Sequence, residues 1–101
     1  VLARHALKPF EDLTAVTWSE RLGRLLVIAE SDDRLLMVSY DGTIDAEMSL
    51  PGGQQEGLAL APDGALWVAD DRLGLLRFAG ADAALDAALA RASGGGQEAR
   101  P

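Results

Sequence analysis

Two stretches of this chain carry nearly the same pattern, and that doubling limits the folds open to it more than any single motif. Leu13–Gly42 reads LTAVTWSERLGRLLVIAESDDRLLMVSYDG and Gln55–Gly80 reads QEGLALAPDGALWVADDRLGLLRFAG. Leu26-Val27-Ile28-Ala29-Glu30 aligns on Leu66-Trp67-Val68-Ala69-Asp70, a period of roughly 40 residues, within the range of a four-stranded propeller blade. A ring of such blades closes with about four to eight units. The chain holds about two, and a repeat unit buries its apolar faces only against neighbours. The expectation is therefore an excerpt of a longer protein, and a start at Val1 without Met agrees with that.

Within each stretch, short apolar runs alternate with turn residues, the pattern of antiparallel strands. The first unit predicts strands over Thr14–Trp18, Arg24–Glu30, Leu35–Tyr40 and Ile44–Leu50, with Asp41-Gly42 as a tight-hairpin signal. The second predicts Gly57–Leu60, Ala65–Asp70 and Leu75–Phe78, with Pro62-Asp63-Gly64 as its first turn. Leu25-Leu26-Val27-Ile28 is apolar on both faces and belongs in a sheet interior. Ile44–Leu50 alternates, with Asp45, Glu47 and Ser49 on one face, as an outermost strand does. Buried strand first and half-wet strand last is the order of a propeller blade. The fold reading is thus all-β: a four-stranded blade over 11–50, an incomplete three-stranded blade over 54–80, and a short helix with tail over 81–101.

That helix is predicted over Ala81–Ala92, with Asp82 as N-cap, Leu85 and Leu89 one turn apart, and Ser93-Gly94-Gly95-Gly96 as its stop. No fourth strand follows Phe78. A propeller can complete its last blade with a strand from the chain's other end, so three strands suggest the closing end of a ring. Two blades alone expose two apolar sheet faces, and self-association is the expected consequence.

An apolar share of 49% supplies a packed core. The net charge of −7 argues against nucleic acid and anionic membrane surfaces as partners and is compatible with cations. The absence of cysteine removes disulfides, zinc thiolate sites and thiol catalysis. No apolar run approaches the roughly 18 residues that span a membrane.

In a blade, residues just before the first strand and just after the second gather at one mouth of the central channel. Here those are Asp12 and Thr14, Glu30, Glu56, and Asp70 with Asp71. Converging hard oxygens from several loops are what Ca²⁺ needs. Glu56 is the sharpest case, since a bland turn before a strand more often carries Asn, Asp or Gly. Glu56, Glu30, Asp70 and Asp12 are the candidate metal ligands, with Ca²⁺ the candidate cofactor; acids after the second strand can instead accept backbone N–H bonds. Asp32, Asp33 and Asp71 read as turn residues. Trp18 reads first as blade packing and second as a ligand-stacking platform. His5, the only histidine, has no neighbouring nucleophile, and no Gly-x-Ser-x-Gly elbow is present.

These same residues resemble the SdiA-regulated (YjiK-like) β-propeller family. The likeness is carried by Asp12–Trp18, by Leu25–Ser31 with Arg34-Leu35-Leu36, and by Gln55–Leu60 with Asp63-Gly64 and Leu66-Trp67-Val68. It spans about Pro9 to Phe78. The resemblance implies a bacterial propeller, membrane-associated or periplasmic, linked to calcium and without a settled enzymatic activity. Glu56 matches the family's motif glutamate, and Glu30 falls where relatives often carry an acid. Ala29 and Ser31 replace a more polar, acidic stretch. Three functions remain open: a calcium- or small-ligand-binding module, a metal-dependent hydrolase of lactones or phosphoesters, and a protein-interaction scaffold.

Overall fold

A computed structural model describes residues 3–98. Seven strands form two antiparallel sheets. The first sheet is a meander of β1 (Leu13–Ser19), β2 (Arg24–Ala29), β3 (Arg34–Val38) and β4 (Ile44–Ser49). The second is a meander of β5 (Gln55–Leu60), β6 (Leu66–Asp70) and β7 (Gly74–Phe78). One helix, α1 (Ala81–Glu98), follows. Two stacked meanders of four and three strands with a C-terminal helix are the architecture expected of a partial propeller.

The hairpins form where the turn chemistry demands them. Around Tyr40-Asp41-Gly42, Ser39 N–H reaches Thr43 O at 2.8 Å and Asp41 Oδ1 accepts Thr43 N–H at 3.0 Å. Around Pro62-Asp63-Gly64 the same closure recurs: Ala61 N–H to Ala65 O at 2.8 Å, and Ala65 N–H to Asp63 Oδ1 at 3.0 Å. In each turn the aspartate replaces a backbone acceptor and the glycine takes the positive φ, 89° at Gly42 and 88° at Gly64.

Burial follows the alternation. On one face of the first sheet, Leu26, Ile28, Leu35 and Met37 pack against Leu66 and Val68 of the second. On the opposite face, Val27, Ala29, Leu36 and Val38 are covered by Leu7 and Phe10 of the N-terminal segment. Thus β2 is buried on both sides, as its continuous apolar run requires. At the sheet edge, β4 keeps Glu47 and Ser49 exposed.

The helix packs on β4 and inserts Leu85, fully buried, with Ala81 and Ala88 into the seam between the sheets. Arg21 in the β1–β2 turn fastens it, with Nη1 donating to both Asp86 carboxylate oxygens at 2.8 and 3.0 Å and Nη2 to Asp82 O at 3.1 Å. Two expectations are corrected here. The helix starts at Ala81, so Asp82 lies in its first turn rather than at the N-cap, its Oδ1 accepting Ala83 N–H at 2.8 Å. Its backbone meets the β5–β6 turn, with Asp82 N–H donating to Gly64 O at 3.1 Å. The helix also continues through Gly94–Gly96 to Glu98 instead of stopping there. Glycine costs about 1 kcal/mol per residue against alanine but keeps its N–H, so an already nucleated helix extends through it.

Leu85→Ala should cost about 2–5 kcal/mol, the range for emptying a fully buried leucine site, whereas Tyr40→Ala, at 83% exposure, should change stability by less than about 0.5 kcal/mol. Urea unfolding followed by far-UV circular dichroism measures both, and equal effects would contradict this packing.

Candidate functional site

Antiparallel meanders bring the start of the first strand and the end of the second to one end of each sheet. In the first sheet, Glu30 N–H donates to Asp12 O at 2.8 Å, which closes β1 against β2. In the second, Asp71 N–H donates to Gln54 O at 2.9 Å and closes β5 against β6. Strand register agrees, since Leu13 pairs with Ala29 and Gln55 with Asp70. By hydrogen bonding, then, Glu30 corresponds to Asp71 and Ala29 to Asp70. The alignment of Glu30 on Asp70 is one residue out, and in a strand one residue reverses the face.

That slip separates the candidate acids. Asp70 points inward and is buried, with Oδ1 accepting N–H from Arg72 at 2.9 Å and Leu73 at 2.8 Å, and Oδ2 from Gln54 at 3.1 Å. Burial by itself would raise its pKa. The three N–H donors, led by Leu73, and the Arg72 charge outweigh burial and hold it below the ordinary 3.8. Asp70 therefore organises the β6–β7 turn.

Asp12, Glu30, Glu56 and Asp71 instead share one end of the sheets. Glu30 sits in a short 3-10 turn after β2, half-buried, its carboxyl beside that of Asp12. Ser31 Oγ–H donates to Asp12 Oδ2 at 3.1 Å. Burial is the first cause that raises the Glu30 pKa above 4.5; the charges of Asp12, Glu56 and Asp71 add to it. Glu56 occupies a β-bulge: pairing skips from Gln55–Asp70 to Gly57–Ala69, leaving Glu56 as the extra, exposed residue. In β1 a bulge at the corresponding place leaves Thr14 as the extra residue. Bulges re-aim side chains beside sites. Among the described residues, no group of three or more His, Asp or Glu is arranged to hold a metal ion.

Trp18 lies elsewhere. It pairs with Leu25 near the β1–β2 turn, at the opposite end of β1 from Asp12. Its Nε1–H donates to Glu20 Oε1 at 3.0 Å and its ring meets Tyr40 with centroids 5.5 Å apart. His5 packs against Gly42.

Two residues carry more here than the sequence reading gave them. Asp71, read as a turn residue, is the acid that joins Glu30. Gln55 is fully buried where the sheets meet, and its Nε2 donates to Asp33 Oδ1 at 3.1 Å and Leu50 O at 3.2 Å while its Oε1 has no partner among the described residues. Gly52 closes over both Gln55 and Asp70. A Cβ there would stand 2.6 Å from Asp70 Oδ2, and its φ of 133° is costly for any other residue. In the sequence the only trace of this is a glutamine beside Glu56 at the start of an apolar strand; its burial and the bulge are seen only in the fold.

Fold and site together define a stack of antiparallel meanders, consistent with a partial propeller, that carries an acidic end. The family model for SdiA-regulated proteins matches residues 2–90, and the chain belongs to that family. No curated protein matches it. No helix among the described residues is long and apolar enough to cross a membrane.

An acid whose pKa is higher in the folded than in the unfolded state takes up protons on folding, so stability falls as pH rises from the unfolded value through the folded one. Glu30→Gln should therefore be more stable than wild type at neutral pH, and the gap should close as pH drops toward 4.5. Asp70→Asn should do the reverse: the stability Asp70 supplies is present above 3.8 and lost as pH falls through its lower folded-state pKa. Urea titrations at a series of pH values test both, and a pH-independent gap for Glu30→Gln would refute the acid grouping.

Proposed function

We propose that this chain is a cation-binding part of an SdiA-regulated propeller, with Ca²⁺ held at the acidic end. What supports the reading is the placement of Asp12, Glu30, Glu56 and Asp71 at four strand ends on one end of the two sheets, where the charges of the other three add to burial in raising the Glu30 pKa, although no three of them form a metal-holding group by themselves. Like charges so placed oppose folding unless a proton or a cation lies among them. Calcium suits the arrangement because it takes six to eight oxygens in irregular geometry, including carboxylates on mobile side chains and water. Glu56, exposed on its bulge, is the ligand freest to close on an ion. Asp70 supports the site by shaping the backbone that carries Asp71. Further oxygens come from water and from neighbouring blades of the ring. A bacterial, exported or membrane-associated setting belongs to the same proposal.

Chelator-treated protein should gain thermal stability on calcium addition. The gain should grow with the logarithm of calcium concentration above Kd, because the ion binds only the folded state. Glu30→Gln with Glu56→Gln should abolish it. An unchanged melting temperature up to about 10⁻³ M calcium, the weak end of protein calcium sites, would count against this reading.

A further inference from the structure

The two sheets meet through apolar side chains, which hold them together without fixing how one lies on the other, because hydrophobic contact has no direction. Among the described residues, the hydrogen bonds that join β5 to the first sheet and to the segment leaving it come from one side chain, Gln55. Its Nε2 is shared among Asp33 Oδ1 at 3.1 Å, Leu50 O at 3.2 Å and Pro51 O at 3.4 Å. Three acceptors around the nitrogen leave the amide one orientation, with Oε1 on the other side and unpartnered among the described residues. Methionine would fill similar space without burying an unpaired acceptor, so packing alone does not account for a glutamine here.

The acid-bearing segments run to this amide. Asp33 ends the turn that carries Glu30; at a φ of 51° its N–H donates to Glu30 O at 3.0 Å, and its O accepts Leu50 N–H at 2.8 Å. Gln55 precedes Glu56 in the chain and pairs with Asp70, the neighbour of Asp71. We propose that Gln55 is the positioning residue of the acidic end: its amide, anchored on Asp33, sets the Glu30 turn of the first sheet against Glu56 and Asp71 of the second. This rests on the reading of these acids as one site. Gln55 acts on them through Asp33 and the backbone, as a group that orients ligands does.

Two measurements on the 101-residue chain test this. Residual dipolar couplings of the strand amides, read by NMR, report how the sheets are oriented to one another, and calorimetric titration with calcium reports the site. Gln55→Met removes the donor. Asp33→Gly removes the acceptor, glycine being at ease at this positive φ, and Asp33→Asn removes the charge but keeps an acceptor oxygen. In wild type and in Asp33→Asn one alignment tensor should fit both sheets. In Gln55→Met and Asp33→Gly each sheet should fit a tensor of its own while the shared one fails, and calcium should bind about 10–100-fold more weakly, the loss typical when a group that orients metal ligands is removed. Should Gln55→Met fail to fold, Asp33→Gly, altered at an exposed residue, carries the test. The proposal is overturned by a shared tensor in folded Asp33→Gly, by an Asp33→Asn variant that behaves as Asp33→Gly does, or by calcium affinity that stays at the wild-type value when the orientation is lost. A wild type that binds no calcium, with orientation lost in the two variants, overturns the calcium reading and leaves Gln55 in the role assigned here.

Discussion

The seam between the two sheets is the constraint on which the rest of the structure depends. Three strands with an apolar face are the minimum for a sheet to be stable in water, and β5–β7 has its inner face closed by Leu26, Ile28, Leu35 and Met37 of the first sheet and by Leu85 of the helix. Each fully buried aliphatic side chain contributes about 1.5–3 kcal/mol. The seam is also what sets β1 beside β5, and hence the acid-bearing ends of both sheets side by side. Ion pairs do not do this. Arg21, Arg24, Arg34 and Arg77 each meet a carboxylate, but all four pairs are partly or largely exposed, and such pairs contribute about 0–1 kcal/mol. They fix where the helix and the strand edges lie.

Given the seam, register decides which acid does what. Leu26–Glu30 and Leu66–Asp70 match well as strings because both are apolar runs ending in an acid. A strand buried on both faces has no polar alternation to betray a slip of one residue. The turns and the half-wet β4 do carry such alternation, and every strand lies within two residues of its expected bounds. The inner pairs carry none, so the exchange of Asp70 for Asp71 becomes visible only in the hydrogen bonds that close β1–β2 and β5–β6. The reach of α1 past its glycines was hidden for another reason. Helix propensity is a weak local preference, and packing of the first turns on β4 decides whether a helix forms at all.

The acids show how the same residue type divides between architecture and chemistry. Asp41, Asp63 and Asp70 each accept backbone N–H groups in a turn, and each is held below the ordinary carboxylate pKa. Their negative charge is neutralised where it sits by donors that form with the fold. Glu30 has the opposite environment, partly buried with three carboxylates, Asp12, Glu56 and Asp71, as neighbours. Direction of shift therefore separates the turn-forming acids from Glu30, whose neighbours add negative charge instead of donors.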